Sequence, residues 1–179
     1  ELWSRHSKGV EYLAEMELSP VMNQAGEFEH YVGLFSDITR AKEQQNMLEH
    51  MAYHDALTQL PNRVLFSSRL QQALIQAEQQ QSLAAICYID LDEFKIVNDQ
   101  HGHEYGDKLL VMLSQRIVGM LSENDTLARL GGDEFALLLC GYRSRNEYTR
   151  LLKKLLIAIE KPFIINTLNQ TGKSGEAAD

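Results

Sequence analysis

Two pairs of acidic residues carry the chemistry that this sequence indicates. An apolar run at 83–89 ends in Asp90 and Asp92, and a pair of glycines precedes Asp133 and Glu134. Side chains alternate along a strand, so the first two carboxylates face the same way. Open α/β sheets place their sites at the carboxyl ends of strands. Hard oxygen ligands at such a position favour Mg²⁺ or Mn²⁺, with phosphate oxygens and water in the open positions.

Each acidic pair also has an ordinary explanation. Asp90 and Asp92 could only cap the next helix or face water, and Asp133 and Glu134 could be solvated acids of a tight turn. If the turn lies beside the 83–89 strand, however, Asp90 and Asp133 come within reach of one cation. Two such ions would clamp the attacking and leaving oxygens of a phosphoryl or nucleotidyl transfer.

Polar residues that follow Asp90 supply the other groups that a nucleotide needs. Lys95 can neutralise a terminal phosphate, and the turn at Phe94 exposes backbone N–H donors. Asn98 and Asp107 together match the donor and acceptor edge of guanine. The alternatives are a solvated cation at Lys95, a helix C-cap at Asn98 and a helix N-terminal charge at Asp107.

Two histidines, His101 and His103, flank a glycine in the same segment. Two ligands at this spacing, with no cysteine nearby, are a weak signal for a transition-metal site. A loop pair that orients its neighbours is the preferred interpretation.

From residue 54 onward the pattern alternates between helices and strands, which predicts an α/β fold. The 83–89 run is apolar almost throughout and is therefore predicted to be a central strand, buried on both faces. The predicted elements are a helix that begins at Pro61, this strand, a helix at about 104–121, a hairpin of strands at 126–130 and 135–140, a helix from a capping box at 144–147 to about 160, and a short strand at 163–166.

The first part of the chain has a different character. Residues 1–36 are predicted to form three strands joined by turns, and the stretch at 10–18 alternates like a half-buried strand. Asp37 is a good N-cap for a helix at 38–53 whose apolar stripe is thin. Such a stripe predicts a connector or a dimer seam, and a solvated linker helix is the alternative.

Composition excludes several classes of protein. The 179 residues carry a net charge of −8, are 44% hydrophobic and include two cysteines, both in apolar runs. These figures argue against wholesale disorder, a disulfide scaffold and a non-specific nucleic-acid binder. No apolar stretch is long enough to cross a bilayer and the first ten residues do not resemble a signal peptide, so we expect a cytoplasmic location.

Three motifs resemble one known family. They are HDALTQLPNR at 54–63, YIDLDEFKIVNDQHGHEYGDKLL at 88–110 and RLGGDEFALLL at 129–139. Their content and order are similar to those of the GGDEF family, the diguanylate cyclases. Ahead of them, GEFEHYVGLFSDITRAKEQ at 26–44 resembles the closing strand of a PAS domain that runs into a signalling helix.

The resemblance implies a fold, a division of the chain and a reaction. We expect the C-terminal part of a PAS domain at 1–36, a signalling linker helix at 37–53, and a nucleotidyl-cyclase-like sheet flanked by helices at 54–179. The family condenses two GTP molecules, one per subunit of a homodimer, into cyclic di-GMP. The alternative is an inactive GTP-binding module that regulates a downstream phosphodiesterase domain. Either form would be cytoplasmic, alone or as the cytoplasmic part of a larger sensor.

The same resemblance assigns roles to individual residues. Magnesium or manganese would be held by Asp90, the backbone carbonyl of Leu91, and Asp133. Asp133 would also assist deprotonation of the attacking 3′-hydroxyl, with Glu134 as a second acid of the site. The implied substrate-binding residues are Phe94, Lys95, Asn98, His103, Asp107, Gly131 and Gly132.

Two departures from the family pattern carry expectations of their own. The RxxD motif of the inhibitory product site is degenerate, with Ser122 in place of the arginine and Asp125 retained. Serine cannot replace a bidentate guanidinium, so we expect weak or absent product inhibition. After Phe163 we find no counterpart of the family's closing strand and helix, which carry a phosphate-binding lysine and arginine. The domain at 54–179 is therefore expected to be truncated at its C-terminal end.

Overall fold

The computed structural model describes residues 1–165. The chain divides into two compact units, one at Glu1–Ala52 and the other beginning at Tyr53. Within the described residues, each unit contains a three-stranded sheet. None of the helices within the described residues combines the length and the apolar character that a membrane span requires.

The first unit is an antiparallel sheet in the order β1-β2-β3. Its strands are β1 (Leu2–Arg5), β2 (Glu11–Met22) and β3 (Phe28–Asp37). The three strands are those expected from the sequence. The half-buried face predicted at 10–18 differs from the expectation. Ala14 is buried, whereas Met16, Leu18 and every residue of β3 are exposed. A three-stranded sheet encloses little apolar area by itself, which explains the difference.

Helix α1 (Thr39–Tyr53) follows β3 directly. The Asp37 carboxylate accepts a hydrogen bond from the backbone N–H of Thr39 at 3.0 Å, the contact expected of a capping residue. Hydrogen bonds from Thr39 hold the pKa of Asp37 below its usual range. The backbone N–H of Leu13 donates to Thr39 Oγ1 at 2.8 Å, which joins the start of the helix to β2. No residue of α1 is buried.

The second unit packs helices on both faces of its sheet. Its elements are α2 (Arg63–Gln80), β4 (Leu83–Ile89), α3 (Phe94–His101), α4 (His103–Val118), β5 (Thr126–Gly131), β6 (Glu134–Tyr142) and α5 (Arg145–Ile159). Strand β6 lies between β4 and β5, and both pairings are antiparallel. The unit therefore has the α/β fold that the sequence predicts.

Strand β6 forms the centre of the core. Phe135, Leu137 and Leu139 pack with α4 and α5, and the two intervening residues pack with α2. These five residues are at most 1% exposed. The 83–89 strand was expected to be central, but it is an edge strand of the described sheet, and Tyr88 is 76% exposed. The composition of a strand does not reveal how many neighbouring strands pair with it, so the prediction of a central strand at 83–89 was wrong.

Helix α2 begins two residues later than predicted. Its N-cap is Asn62, whose Oδ1 accepts hydrogen bonds from the backbone N–H groups of Val64 and Leu65 at 2.9 and 3.2 Å. Pro61, the predicted first helical residue, precedes the cap and lies in an isolated bridge with His54. Asparagine takes the capping position because its side chain satisfies N–H groups that have no partner within the helix.

The boundaries of two later elements also differ from the prediction. The helix expected at about 104–121 starts at His103 and ends at Val118, and a separate helix, α3, precedes it. Gly102, at φ 86°, makes the break between the two helices. Residues 163–165 have no regular structure, and the last residue of the short strand predicted there lies outside the described residues.

Both cysteines, Cys87 and Cys140, are free thiols and partly buried, as their apolar surroundings suggest. Burial raises the pKa of each thiol, and for Cys140 the nearby Asp125 carboxylate raises it further. Thiols in such surroundings are poor nucleophiles because the thiolate is disfavoured.

Helices α3 and α4 approach closely at Gly106, which is buried. A methyl group added to this glycine would lie 2.0 Å from Asn98 Oδ1 and 3.0 Å from Phe94 Cζ. The glycine therefore sets the distance between two helices that carry several of the predicted site residues.

We predict that Gly106→Ala lowers the free energy of unfolding by about 1–3 kcal/mol, because overpacking forces neighbouring groups apart. Gly119→Ala, just past the end of the same helix, is the matched control, since its added methyl group would meet its nearest atom, Gln115 O, at 3.4 Å. Urea unfolding followed by circular dichroism measures both variants. Equal stability of the two would contradict the packing role of Gly106.

Candidate active site

The register of the sheet brings the two acidic pairs together. Ile89 of β4 pairs with Phe135 of β6, so Asp90, the next residue along, lies beside Glu134. Asp90 and Glu134 line one cavity of about 320 Å³. Asp133 is partly buried in the turn beside them. The turn therefore lies at the end of β4, next to Asp90.

The turn between β5 and β6 depends on two glycines. Gly131 has φ 149° and Gly132 has φ 53°, both in the region where other residues are strained. Apart from the chain neighbours, no atom of residues 1–165 lies within 4 Å of a Cβ built on either glycine, so the requirement is conformational and not steric. The space around the turn stays open, and a ligand can approach its backbone closely.

Hydrogen bonds of Arg129 connect this turn to the loop before α2. Its Nη1 donates to both carboxylate oxygens of Asp55, at 3.0 and 3.2 Å, and its Nε donates to Gly132 O at 2.9 Å. Its backbone N–H donates to Pro61 O at 3.0 Å. The side chains of Arg129 and Asp55 are 12% and 22% exposed. A shielded, multiply hydrogen-bonded ion pair fixes geometry more strictly than a surface pair does.

Thr58 and Arg129 both donate hydrogen bonds to the Asp55 carboxylate. Its Oδ1 accepts hydrogen bonds from the backbone N–H of Thr58 at 2.8 Å and from Thr58 Oγ1 at 2.6 Å. Burial by itself would raise the pKa of the Asp55 carboxyl, but the bonds from Thr58 and Arg129 outweigh it and hold that pKa below its usual range.

Sequence reasoning missed both Asp55 and Arg129. Two signals were available. Asp followed three residues later by Thr is typical of a side-chain-capped turn, and a single arginine stands in the otherwise apolar strand TLARLG at 126–131. Neither signal shows that Asp55 and Arg129 are partners, since 74 residues separate them.

The loop after β4 holds the remaining candidate metal ligands. Leu91 O accepts a hydrogen bond from the backbone N–H of Phe94 at 3.3 Å, where α3 begins. A carbonyl oxygen has two lone pairs, so this one can accept a further contact. Lys95 and Asp92 are exposed. A second cavity, of about 300 Å³, is lined by Asp90, Leu91, Asp92 and Phe94 together with residues of α4 and α5.

The two predicted guanine-reading residues lie on neighbouring helices but have different surroundings. Asp107 is exposed and lines a cavity of about 390 Å³ with apolar residues that include Leu57 and Val111. Asn98 does not line this cavity. Its Oδ1 lies against Gly106, is buried and has no hydrogen-bond partner within the described residues. A buried carbonyl oxygen without a partner is costly, so a ligand donor or a rotation of the amide would stabilise this residue.

The histidines of this segment lie at the break between the two helices. His103 begins α4 and is exposed, and the ring of His101 lies 5.5 Å from that of Tyr105. Within residues 1–165, no group of three or more His, Cys, Asp or Glu side chains is arranged to hold a metal ion. The two histidines are thus not joined by further ligands in the described part of the chain.

Asp125, the retained acid of the degenerate inhibitory motif, is turned inward. It is 8% exposed, and its carboxylate accepts hydrogen bonds from Ser122 N at 3.0 Å and Ser122 Oγ at 2.7 Å. The backbone N–H of Cys140 and the hydroxyl of Tyr142 also donate to it, each at 3.1 Å. Burial, together with the Asp125 charge, raises the pKa of Tyr142 to about 12. The motif therefore connects the loop before β5 to the end of β6 through buried hydrogen bonds.

Residues 52–177 match the family described as diguanylate cyclase, GGDEF domain. The chain belongs to this family. The match continues past Phe163, after which we expected the domain to be truncated. The antiparallel sheet with flanking helices is the fold of solved GGDEF proteins, which confirms the predicted fold class.

Individual relatives support the assignment. The chain is 42% identical over 124 residues to diguanylate cyclase TpbB of Pseudomonas aeruginosa, which amounts to 69% of this chain and 28% of TpbB. It is 42% identical over 133 residues to the bifunctional diguanylate cyclase/cyclic di-GMP phosphodiesterase MucR of the same species, covering 74% of this chain and 19% of MucR. The chain thus spans less than a third of either relative.

Among solved structures, a sensory box/GGDEF family protein from Caulobacter crescentus is similar with a TM-score of 0.61 and 36% identity. The similarity covers 64% of this chain and 74% of the Caulobacter chain. At this level of identity, the likeness extends to sequence as well as fold.

We expect Asp55→Asn to lower the free energy of unfolding by about 1–3 kcal/mol near neutral pH, because it removes the charge that Arg129 binds. The folded-state pKa of Asp55 is lowered, so its contribution to stability is complete above the unfolded value of 3.8 and is lost as the pH falls through the lowered pKa. The difference between wild type and variant should therefore shrink in acid. Urea unfolding across a pH series tests this, with the exposed Asp99→Asn as control. A pH-independent difference would contradict it.

Replacing Asp125 by alanine leaves buried donors without an acceptor. We predict that Asp125→Ala lowers the free energy of unfolding by about 2–4 kcal/mol. Glu123→Ala, two residues away and exposed, should change it by less than about 0.5 kcal/mol. Thermal melting of both variants measures the effect, and a wild-type melting curve for Asp125→Ala would show that the inward contacts do not stabilise the fold.

Proposed function

We propose that the unit beginning at Tyr53 is a diguanylate cyclase domain that condenses two GTP molecules into cyclic di-GMP and releases pyrophosphate. The observation that carries this proposal is the meeting of Asp90 with the turn that contains Asp133 and Glu134, in a chain of the diguanylate cyclase family. Carboxylates grouped at the end of a sheet suit a reaction that moves phosphate groups with the help of a divalent cation.

Magnesium, or manganese, is the cation that these donors fit. Asp90 and Asp133 supply hard carboxylate oxygens, and the carbonyl oxygen of Leu91 has a lone pair beyond its bond to Phe94. Three protein oxygens leave positions for phosphate oxygens and water, which is the usual arrangement for Mg²⁺ beside a nucleotide. When bound, the cation would neutralise charge on the phosphates and polarise the transferred phosphoryl group.

Residues of the loop and turn would orient the triphosphate. Phe94 and Lys95 begin α3, so backbone N–H groups and an ammonium group can meet the phosphate oxygens. Gly131 and Gly132 leave the backbone of the turn open to close approach. These groups would hold the phosphates against the carboxylate-bound cation.

Residues of α3 and α4 would bind the base. The apolar cavity beside Asp107 suits a purine ring, and the carboxylate can accept hydrogen bonds from the N1–H and exocyclic amine of guanine. Asn98 would add an amide contact, which requires its carbonyl oxygen to turn away from Gly106. His103, exposed at the start of α4, would make a neighbouring contact with the substrate.

Two acids would handle the reacting groups. Asp133 would assist removal of the proton from the attacking 3′-hydroxyl, and Glu134 would act as a second acid of the site. One site holds one GTP, and the product contains two nucleotides. The domain would therefore work as a homodimer in which each subunit presents one GTP to the other.

The first unit would carry a signal to this site. We assign residues 1–36 to the C-terminal part of a PAS domain and residues 37–53 to a signalling linker helix. Exposed apolar residues of α1, including Met47, Leu48 and Met51, support a seam between two copies of the chain. The Caulobacter neighbour is itself described as a sensory box/GGDEF family protein. In this proposal the chain is part of a cytoplasmic sensor.

A second candidate is a GGDEF module that binds GTP without turning it over and regulates a phosphodiesterase domain. It is favoured by the relative MucR, which is described as both cyclase and phosphodiesterase and of which this chain matches only 19%. The complete Gly131–Phe135 signature favours the cyclase instead.

We predict that the chain, incubated with GTP and magnesium, forms cyclic di-GMP and that Asp133→Asn lowers the rate about a hundredfold or more, since it removes a metal ligand and a proton acceptor. Asp99→Asn, an exposed aspartate of α3 outside the site, is the matched control and should retain activity. Chromatography of the reaction products gives the rates, and equilibrium titration gives GTP affinity.

The possible results separate the candidates. Product formation that is unaffected by Asp133→Asn would contradict the roles assigned here. GTP binding without product in the wild type would support the regulatory module. A chain that neither binds GTP nor forms product would contradict both functions.

A further inference from the structure

One cation beside the candidate site has no role in the assignments above. Arg63 is the first residue of α2, and it lines the cavity of about 320 Å³ that Asp90 and Glu134 also line. Among the described residues that line this cavity, Arg63 is the one cation. Its position is unexpected from the sequence, since 27 residues separate Arg63 from Asp90 and 71 separate it from Glu134.

Backbone contacts hold Arg63 next to the site. The backbone N–H of Arg129 donates to Pro61 O at 3.0 Å, and the Arg129 guanidinium binds Asp55 at the other end of the same loop. Asn62 then caps α2 through Val64. The loop and the first turn of α2 are thereby tied to the strand that leads into the glycine turn. This fixed backbone places Arg63 at the cavity.

The guanidinium is available for a ligand. Arg63 is exposed, and none of the ion pairs within residues 1–165 includes it. By contrast, Arg129 is nearly enclosed by Asp55 and Gly132. A guanidinium beside two carboxylates compensates their charge, and its planar fork matches the oxygens of a phosphate.

We infer that Arg63 is a further substrate-binding residue, which contacts phosphate oxygens of the nucleotide, or of the pyrophosphate that leaves, on the side of the site formed by Asp90 and Glu134. This inference rests on the proposed cyclase function and extends it. Lys95 lies in the first turn of α3, whereas Arg63 lies at the start of α2. The phosphate groups would then be held by cations from two different helices.

The chain offers a matched control. Arg145 is the first residue of α5 as Arg63 is of α2, and it is also exposed, but it lines none of the cavities described at the site. Arg63→Gln and Arg145→Gln each remove one positive charge from the first turn of a helix. Any general effect of charge or helix stability should appear equally in these two variants. A third variant, Arg63→Lys, tests whether a positive charge without the planar guanidinium is sufficient for phosphate binding.

The test is isothermal titration of the full chain in magnesium with GTP, inorganic pyrophosphate and guanosine. We expect Arg63→Gln to weaken GTP and pyrophosphate binding about tenfold, as one charge-assisted contact to phosphate allows. Guanosine, which lacks phosphate, should bind as it does to the wild type, and the melting temperature should not change. Arg63→Lys should recover part of the loss, and Arg145→Gln should behave as the wild type.

Other results would overturn the inference or the proposed function separately. Arg63→Gln with wild-type affinity for both phosphate ligands, or an equal loss in Arg145→Gln, removes the role of Arg63 and leaves the cyclase proposal intact. A wild type that binds pyrophosphate but not GTP contradicts the proposed function, and the pyrophosphate titrations still decide the role of Arg63. A wild type that binds neither ligand contradicts both.

Discussion

The ion pair between Arg129 and Asp55 is the contact on which the arrangement of the site depends. Through one side chain and its own backbone N–H, Arg129 joins the loop before α2, the strand β5 and the carbonyl of Gly132. Glycine loses more conformational freedom on folding than any other residue, so a turn built on two glycines needs an external restraint. The pair supplies this restraint because it is largely shielded from water and each partner makes further hydrogen bonds.

The antiparallel sheet provides the second constraint. Strand β6 is paired on both sides and lies between two helical layers, which fixes its register and therefore the position of everything at its start. The register places Asp90 beside Glu134, and Asp133 directly precedes Glu134 in the turn. A slip of one residue would move Phe135 from the face that packs with α4 and α5 to the face that packs with α2, where small residues such as Ala136 fit, so the packing of apolar side chains holds the carboxylates in place. The packing of the core and the geometry of the site therefore both depend on the register of β6.

Aspartates serve two distinct purposes in this unit. Asp55 and Asp125 are shielded, and each accepts several hydrogen bonds, so they act as structural anchors. Asp90 and Asp107 are exposed at cavities and remain accessible to a ligand. The net charge of −8 therefore does not arise from a single acidic surface. Some of the acidic side chains are enclosed within the fold, and others lie where a cation and Arg63 could meet them.

The sequence by itself determined the kind of fold, the hairpin, the acidic pairs and the family, because local signals carry them: a glycine turn, an apolar run and residues close together along the chain. It did not determine that β6 is central, that Asp125 points inward, or that Arg129 and Arg63 lie at the site. Each of these depends on contacts between residues far apart in sequence. Partner number and burial are set when the elements pack, so only the tertiary structure could decide them.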